Sequence, residues 1–503
     1  MATGGQSADN PIPRLTSADE FFAPCPKFRI LVLGNPESTK QELFSKVFGV
    51  ELDKRPVANA FGDDHDIEKE LGLEGQNERL AIYTSPNFGS DDESVYRRVC
   101  DFIASRSAES TELQERIHCI WYCVASEEER PVSHLETRFF SGGLAAVAPH
   151  VPVVLLYTKY DDFVSQVQMD WSHDAQQRGL SKVAVSHILK DLSTNRFEKT
   201  IKKRWDAVLL DERGKHRVQP VPWVCVASGS DPDGDDSSFE RLTTTTLNSL
   251  LEWKDWNVKL AFAAAQRNSA TISTRFCADA ATEYFTVETG HARKIDGVDM
   301  RDIVPNFFAK AIKIFNMRDV AAVLMQERLL ERILFAVFEA DQRPLLEESL
   351  HRSSTEPSML LMNLSPHERG VLLTQALASV VMFLDKLADT QWPQSDAFHT
   401  LTTQAVEREL RAIGTGRAKQ ELLETVEGSP IFSTCPLKAA IAELIVKAVA
   451  LADKISSPHG RGAAREILVI DDSELQEISL SFVNDKSPDD MVLPCGLTIL
   501  PLN

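Results

Sequence analysis

Apolar residues fall along this chain in two textures, and the texture changes near residue 255. Before that point, apolar runs at 28–33, 117–124, 151–157 and 221–226, with strand character also at 79–83, predict five strands. The first run is apolar apart from Arg29, as a strand covered on both faces should be. Helices are predicted between and after the strands, over about 40–48, 93–105, 133–146 and 177–209 and from about 238. Strands joined by helical crossovers imply an α/β fold, a mostly parallel sheet with helices on both faces. Ligands of such sheets bind beyond the carboxyl ends of the strands.

After 255 the periodicity is helical. Segments 257–287, 304–316 and 319–339 predict helices. In the last of these, Val320, Val323, Leu324, Leu330, Ile333, Leu334, Val337 and Phe338 recur at steps of mostly three and four, a stripe wide enough for burial in a bundle. Similar stripes cover 366–389, 400–425 and 436–454, and Ser365 with Glu368 makes a capping box for the first. Pro357, Pro393 and Pro430 punctuate the chain between them. Residues 466–470 and 477–483 read as two short strands joined by an acidic turn. The expected organisation is a mobile leader over 1–27, an α/β domain over 28–252, an all-α domain over 253–460 and a small β ribbon in a tail over 461–503.

Composition narrows the function classes. A length of 503 residues with 43% hydrophobic and 25% charged residues fits a globular protein of two or three domains. The net charge of −20 argues against a sequence-independent nucleic-acid binder, which neutralises phosphates with clustered cations. The short basic run Lys202-Lys203-Arg204 reads as a solvated helix face. No basic start and apolar core of a secretory signal opens the chain. The richest apolar stretches are broken by Pro149 and Pro152, or by Lys438, Glu443 and Lys447, so no integral membrane segment is expected. Eight scattered cysteines in mostly apolar surroundings suit reduced thiols in a cytoplasmic protein. His118, Cys119 and Cys123 do not form a metal set, because strand alternation points His118 away from both cysteines. The acidic run Asp231 to Asp236 starts like a calcium loop, but Leu242 stands where the twelfth-position glutamate is needed.

Candidate chemistry begins where the first strand runs into Gly34-Asn35-Pro36-Glu37-Ser38-Thr39-Lys40-Gln41. A phosphate-binding loop reads Gly-x-x-x-x-Gly-Lys-Ser/Thr, with backbone amides around the phosphates, a lysine on the outer ones and a hydroxyl on magnesium. Gly34 and Lys40 stand at that spacing, while Thr39 replaces the second glycine and Gln41 the hydroxyl. Thr158-Lys159-Tyr160-Asp161 follows the fourth strand, and Ala227-Ser228 follows the fifth. A carboxylate at Asp161 can accept two hydrogen bonds from the donor edge of guanine, an edge that adenine lacks. The Lys159 stem can lie over the base, and the Ala227 amide can donate to its carbonyl.

On these residues, with 117–123 and the segment 260–267 that ends in Gln266-Arg267, the chain resembles the G domain of the translation-factor-like class of P-loop GTPases. It resembles more closely a large fungal group of G-domain proteins distantly related to ribosome-associated GTPases and to the GTPases of immunity and organelle import. The resemblance spans roughly 28–270, about half the chain. It implies GTP or GDP as ligand, held by Gly34, Asn35, Ser38, Thr39, Lys40, Gln41, Thr158, Lys159, Asp161, Ala227 and Ser228. The family's Asp-x-x-Gly aligns with Thr84-Ser85-Pro86-Asn87, where neither defining residue is present. With Gln41, both usual protein supports for magnesium are changed. The expectation is therefore a pseudo-GTPase with weak or no magnesium and no catalytic or metal residues, acting as a regulatory or scaffold module with a protein partner. Two alternatives stay open: a nucleotide-free interaction protein working through its helical domain, and a GTPase completed by dimerisation. A membrane-active hairpin is not expected, since 286–301 is polar.

Overall fold

The computed structural model of the chain describes residues 18–34, 37–51, 66–71, 76–85, 88, 92–176, 182–210, 221–227, 237–251, 255–284, 300–317, 323–325, 328–338, 342–344, 366–391, 401–415, 417–427, 429 and 438–456. Helix α1 is Ala18–Phe22, and β1 (Phe28–Gly34) then leads to α2 (Glu37–Phe48) and β2 (Leu80–Thr84). Next come α3 (Glu93–Ser107), β3 (Cys119–Ala125), α4 (His134–Arg138), α5 (Leu144–Val147) and β4 (Val153–Thr158). Helices α6 (Tyr160–Gln176), α7 (Lys182–Phe197) and α8 (Lys203–Leu209) precede β5 (Trp223–Cys225), and α9 (Ser237–Leu251) follows it. The remaining helices are α10 (Trp256–Ala265), α11 (Ala270–Ala281), α12 (Met300–Phe315), α13 (Leu329–Val337), α14 (Pro366–Gln391), α15 (Thr403–Thr415), α16 (Arg417–Glu427) and α17 (Lys438–Ser456).

The five strands form one parallel sheet in the order β2-β1-β3-β4-β5. All residues of the first four are buried, which is why they read as near-continuous apolar runs. Alternation sends Leu31, Leu33, Tyr83, Tyr122 and Leu155 to a core shared with α3, α4 and α6. It sends Ile30, Val32, Ile82, Trp121 and Leu156 to a second core shared with α2, α9 and α10. Polar groups fix how the covering helices begin. Asp92 caps α3 through the amides of Ser94 and Val95, and Ser133 with Glu136 forms a reciprocal capping box on α4. Glu136 is fully buried and also accepts from the Tyr122 hydroxyl at 2.6 Å and from Arg130 at 2.8 Å.

A third core belongs to α11 through α17 and takes in Phe21 and Phe22 from α1, inside the segment expected to be a mobile leader. Its central helix is α14. Within it, Gly370–Ala388 has the length and apolarity of a membrane span but is 89% buried inside the protein. Helix α10 faces two ways: Val258, Ala261, Phe262 and Ala265 complete the sheet's second core, while Leu260, Ala263 and Ala264 join the helical one.

Several elements depart from the sequence reading. Helix α2 starts at Glu37 rather than about 40, and α6 begins directly after Lys159, ahead of the helices expected at 177–209. The stripe expected over 319–339 is divided: Val323–Met325 make one 3-10 turn, and α13 starts only after Arg328, whose φ of 69° is left-handed. The ribbon expected at 466–483 lies outside the described residues. Lys202 and Arg204 are engaged within the protein, Lys202 with Asp206 and Arg204 with the carbonyls of Glu128 and Arg130.

Candidate functional site

A strand order of 2-1-3-4-5 places the first crossover to one side of β1 and all later ones to the other. The crevice where direction changes lies at the carboxyl ends of β1 and β3, the position where open α/β sheets bind ligands. Gly34 ends β1 there, paired with Cys123. Its φ is +83°, and a Cβ at this position would lie 2.1 Å from the Cys123 carbonyl oxygen, so only glycine fits.

The residues expected to cradle phosphates are distributed as follows. Asn35 lies outside the described residues. Ser38 and Thr39 belong to the first turn of α2, so the expected loop of 34–41 is helical from residue 37 onward. Gln41 is half-buried on the same helix. Lys40 is 2% exposed, and its Nζ donates to the Ser85 carbonyl at 3.4 Å, at the end of β2. Its charge is also felt on β3: burial pushes the Cys123 thiol up to about 12, and the Lys40 ammonium opposes that rise. Lys40 thus sits over the carboxyl end of the sheet, between β2 and β3.

Thr84 and Ser85 stand where magnesium support was expected to be lost. Thr84 is fully buried and its hydroxyl has no hydrogen-bond partner among the described residues; Asn87 lies outside them. Ser126, just past the end of β3, carries a second buried hydroxyl without a partner. The sequence reading did not single out Ser126. The only signal for it is its position at the carboxyl end of a central strand.

Two strands further along, the base-recognition candidates meet. The Thr158 hydroxyl donates to the Val124 carbonyl at 3.2 Å, and the Ser126 amide donates to the Thr158 carbonyl at 2.9 Å. Lys159 adopts a left-handed φ of 56°, a conformation that costs energy in a residue with a Cβ and is held here by its neighbours. The Tyr160 amide donates to the Val226 carbonyl at 3.2 Å, and the Val226 amide to the Tyr157 carbonyl at 2.8 Å. These bonds bring 158–161 against 226–227, with Lys159, Asp161 and Ala227 all half-buried. Asp161 occupies the first turn of α6 rather than a free loop, where a carboxylate also suits the positive end of the helix dipole. Ser228 lies outside the described residues.

Helix α2 is anchored at its other end by a polar junction. Its Val47 carbonyl accepts from the Arg267 amide at 2.7 Å, and its Phe48 carbonyl from Asn77 Nδ2 at 3.0 Å. The same Asn77 nitrogen donates to Ala265 O at the end of α10, at 2.8 Å. Arg267 Nε donates to Asn316 O just past α12 at 2.9 Å, and Asn316 Nδ2 returns to Asn77 Oδ1 at 2.8 Å. Gln266 turns the chain into α11 by accepting from the amides of Asn268 and Ser269. Three helix ends, each with carbonyls that lack intrahelical partners, are thereby satisfied together.

Comparison with protein-family models, with curated proteins and with solved structures finds no match to this chain.

Proposed function

We propose that the chain binds a guanine nucleotide at the carboxyl edge of its sheet without turning it over, and acts as a regulatory or scaffold module. The observation that carries this reading is the hydrogen-bonded meeting of 158–161 with 226–227, beside a crevice that Gly34 and Lys40 border. Asp161 would accept from the guanine donor edge, Lys159 would cover the base, and the Ala227 amide would meet the guanine carbonyl. Hydrolysis is not part of the proposal, because Thr84 and Gln41 give magnesium neither a carboxylate nor a hydroxyl in the usual places.

Calorimetry with GDP, GTP and ATP, with and without magnesium, tests the reading. Saturable binding of the guanine nucleotides and not of ATP is expected, and no heat at millimolar nucleotide overturns it. Asp161→Asn should weaken GDP at least about tenfold, since the guanine donors then face an amide. Phosphate release at the rate of a working GTPase would overturn the absence of turnover. A second reading, a nucleotide-free scaffold, is favoured by two features: α2 is helical from Glu37, and Lys40 donates to a protein carbonyl. The same titration separates the two.

A further inference from the structure

Thr84 is the best-buried polar side chain at this crevice that the fold leaves without a partner: it is 0% exposed and its hydroxyl bonds to nothing among the described residues. Alternation along β2 puts it on the same face as Leu80 and Ile82, the face covered by α2, and it pairs with Val32 on β1. Lys40, in the first turns of α2, reaches the residue next to it, Ser85. A buried hydroxyl, an ammonium that is 2% exposed and the first-turn amides of a twelve-residue helix therefore belong to the same end of the sheet. The helix amides have no intrahelical acceptors. All three are donors, and the group that accepts from all three is an oxyanion.

We propose that this is a metal-independent oxyanion site that takes the phosphate chain of the nucleotide, with the Thr84 hydroxyl donating directly to a phosphate oxygen. The proposal rests on the reading of the site given above and adds its ligand chemistry. A carboxylate at position 84 would repel phosphate unless a divalent cation lay between them, whereas a neutral hydroxyl needs no cation and donates its own proton. Gln41 fits the same logic, since its amide is neutral. The site neutralises little of the phosphate charge, so a diphosphate suits it at least as well as a triphosphate.

The test uses the full chain and two probes, pyrophosphate and GDP, titrated in EDTA and in magnesium. The wild type should bind both in EDTA, with no gain from magnesium. Thr84→Val should weaken both about tenfold, the size of a hydrogen bond to a charged acceptor. Its ligand-free melting temperature should stay level or rise, because the substitution removes a buried hydroxyl that had no partner. Thr84→Asp should bind only when magnesium is present. Unchanged affinity in Thr84→Val, a clear fall in its melting temperature, or a tenfold gain from magnesium in the wild type each overturns the proposal. If pyrophosphate behaves as expected but GDP binds no better, the oxyanion site stands and the guanine reading fails. If neither probe binds, both fall.

Discussion

Acid should destabilise this protein through one imidazole, His118. The side chain is fully buried beside the amino end of the sheet. Its Nδ1 accepts from the Arg29 amide at 3.0 Å, which leaves Nε2 to donate to the Leu113 carbonyl at 3.0 Å. Burial, with the Arg29 guanidinium adding to it against the Leu113 bond, lowers its pKa from 6.5 to about 4. Protonation would also turn Nδ1 into a donor facing a donor. Above pH 6.5 the ring is neutral in both folded and unfolded states and costs nothing. As the pH falls, the unfolded chain takes up the proton first, so stability is lost until the folded ring also titrates near pH 4. At about 1.4 kcal/mol per unit, the loss reaches about 2 kcal/mol by pH 5 and levels off at about 3 kcal/mol. Urea unfolding of the wild type and His118→Asn at pH 7, 6 and 5 measures it. Asparagine can still accept from the Arg29 amide but does not titrate. Every other titrating group is common to both proteins and cancels in the difference. The gap between the two proteins should move by about 2 kcal/mol from pH 7 to pH 5 in favour of the variant. A constant gap would refute the reasoning.

Gly34→Ala should cost more than about 3 kcal/mol in urea unfolding, since a Cβ there meets the Cys123 carbonyl at 2.1 Å on a left-handed backbone. Asn77→Ala leaves the Phe48 and Ala265 carbonyls without their donor and should cost about 2–3 kcal/mol. A double-mutant cycle with Asn316→Ala should show a coupling of about 1 kcal/mol. Glu136→Ala leaves the buried Tyr122 hydroxyl without its acceptor and the half-buried Arg130 without its carboxylate, and a loss of about 3 kcal/mol is expected by the same assay. A fragment ending at residue 252 should show no cooperative thermal transition, and a sharp one would count against the shared core.

Much of the α/β half was legible because burial on both faces leaves a continuous apolar signature, as in 28–33 and 151–157. Helix α6 was missed because its buried apolar residues, Phe163 and Val167, make a stripe of only two between charged and polar neighbours. The break before α13 was invisible because apolar spacing does not report backbone sign, and the left-handed residue is an arginine rather than a glycine. In the leader, Phe21 and Phe22 were the available signal, and the other buried members of their apolar core lie beyond residue 255. The candidate site was legible only as residue types at motif spacing. Its geometry was not: that Lys40 donates to Ser85, 45 residues away, and that 158–161 leans on Val226, are tertiary facts no local pattern encodes.

The turn chemistry that suggests a boundary near 252 does not coincide with the division of the cores. The described residues through Ser456 belong to one compact unit. Phe262 on α10 packs edge-on against Phe28 of β1 at 4.9 Å, so removing α10 would uncover the first strand. Burying one such ring contributes about 2–3 kcal/mol, a large share of a typical domain's net stability. The opposite side of α10 is equally committed to the bundle. Around it, Asn77 and Arg267 tie the end of α2 to residues just past α12 through carbonyls that would otherwise be unsatisfied. Apolar burial makes the two halves adhere, while the hydrogen bonds fix their register, since a shift of one helical residue, about 1.5 Å, would break several at once. Helix α2 thus runs between two clamps, Ser85 on Lys40 near its start and the Asn77–Arg267 junction at its end. A ligand bound at its amino terminus, as proposed above, would press on an element already in hydrogen-bond contact with the helical bundle.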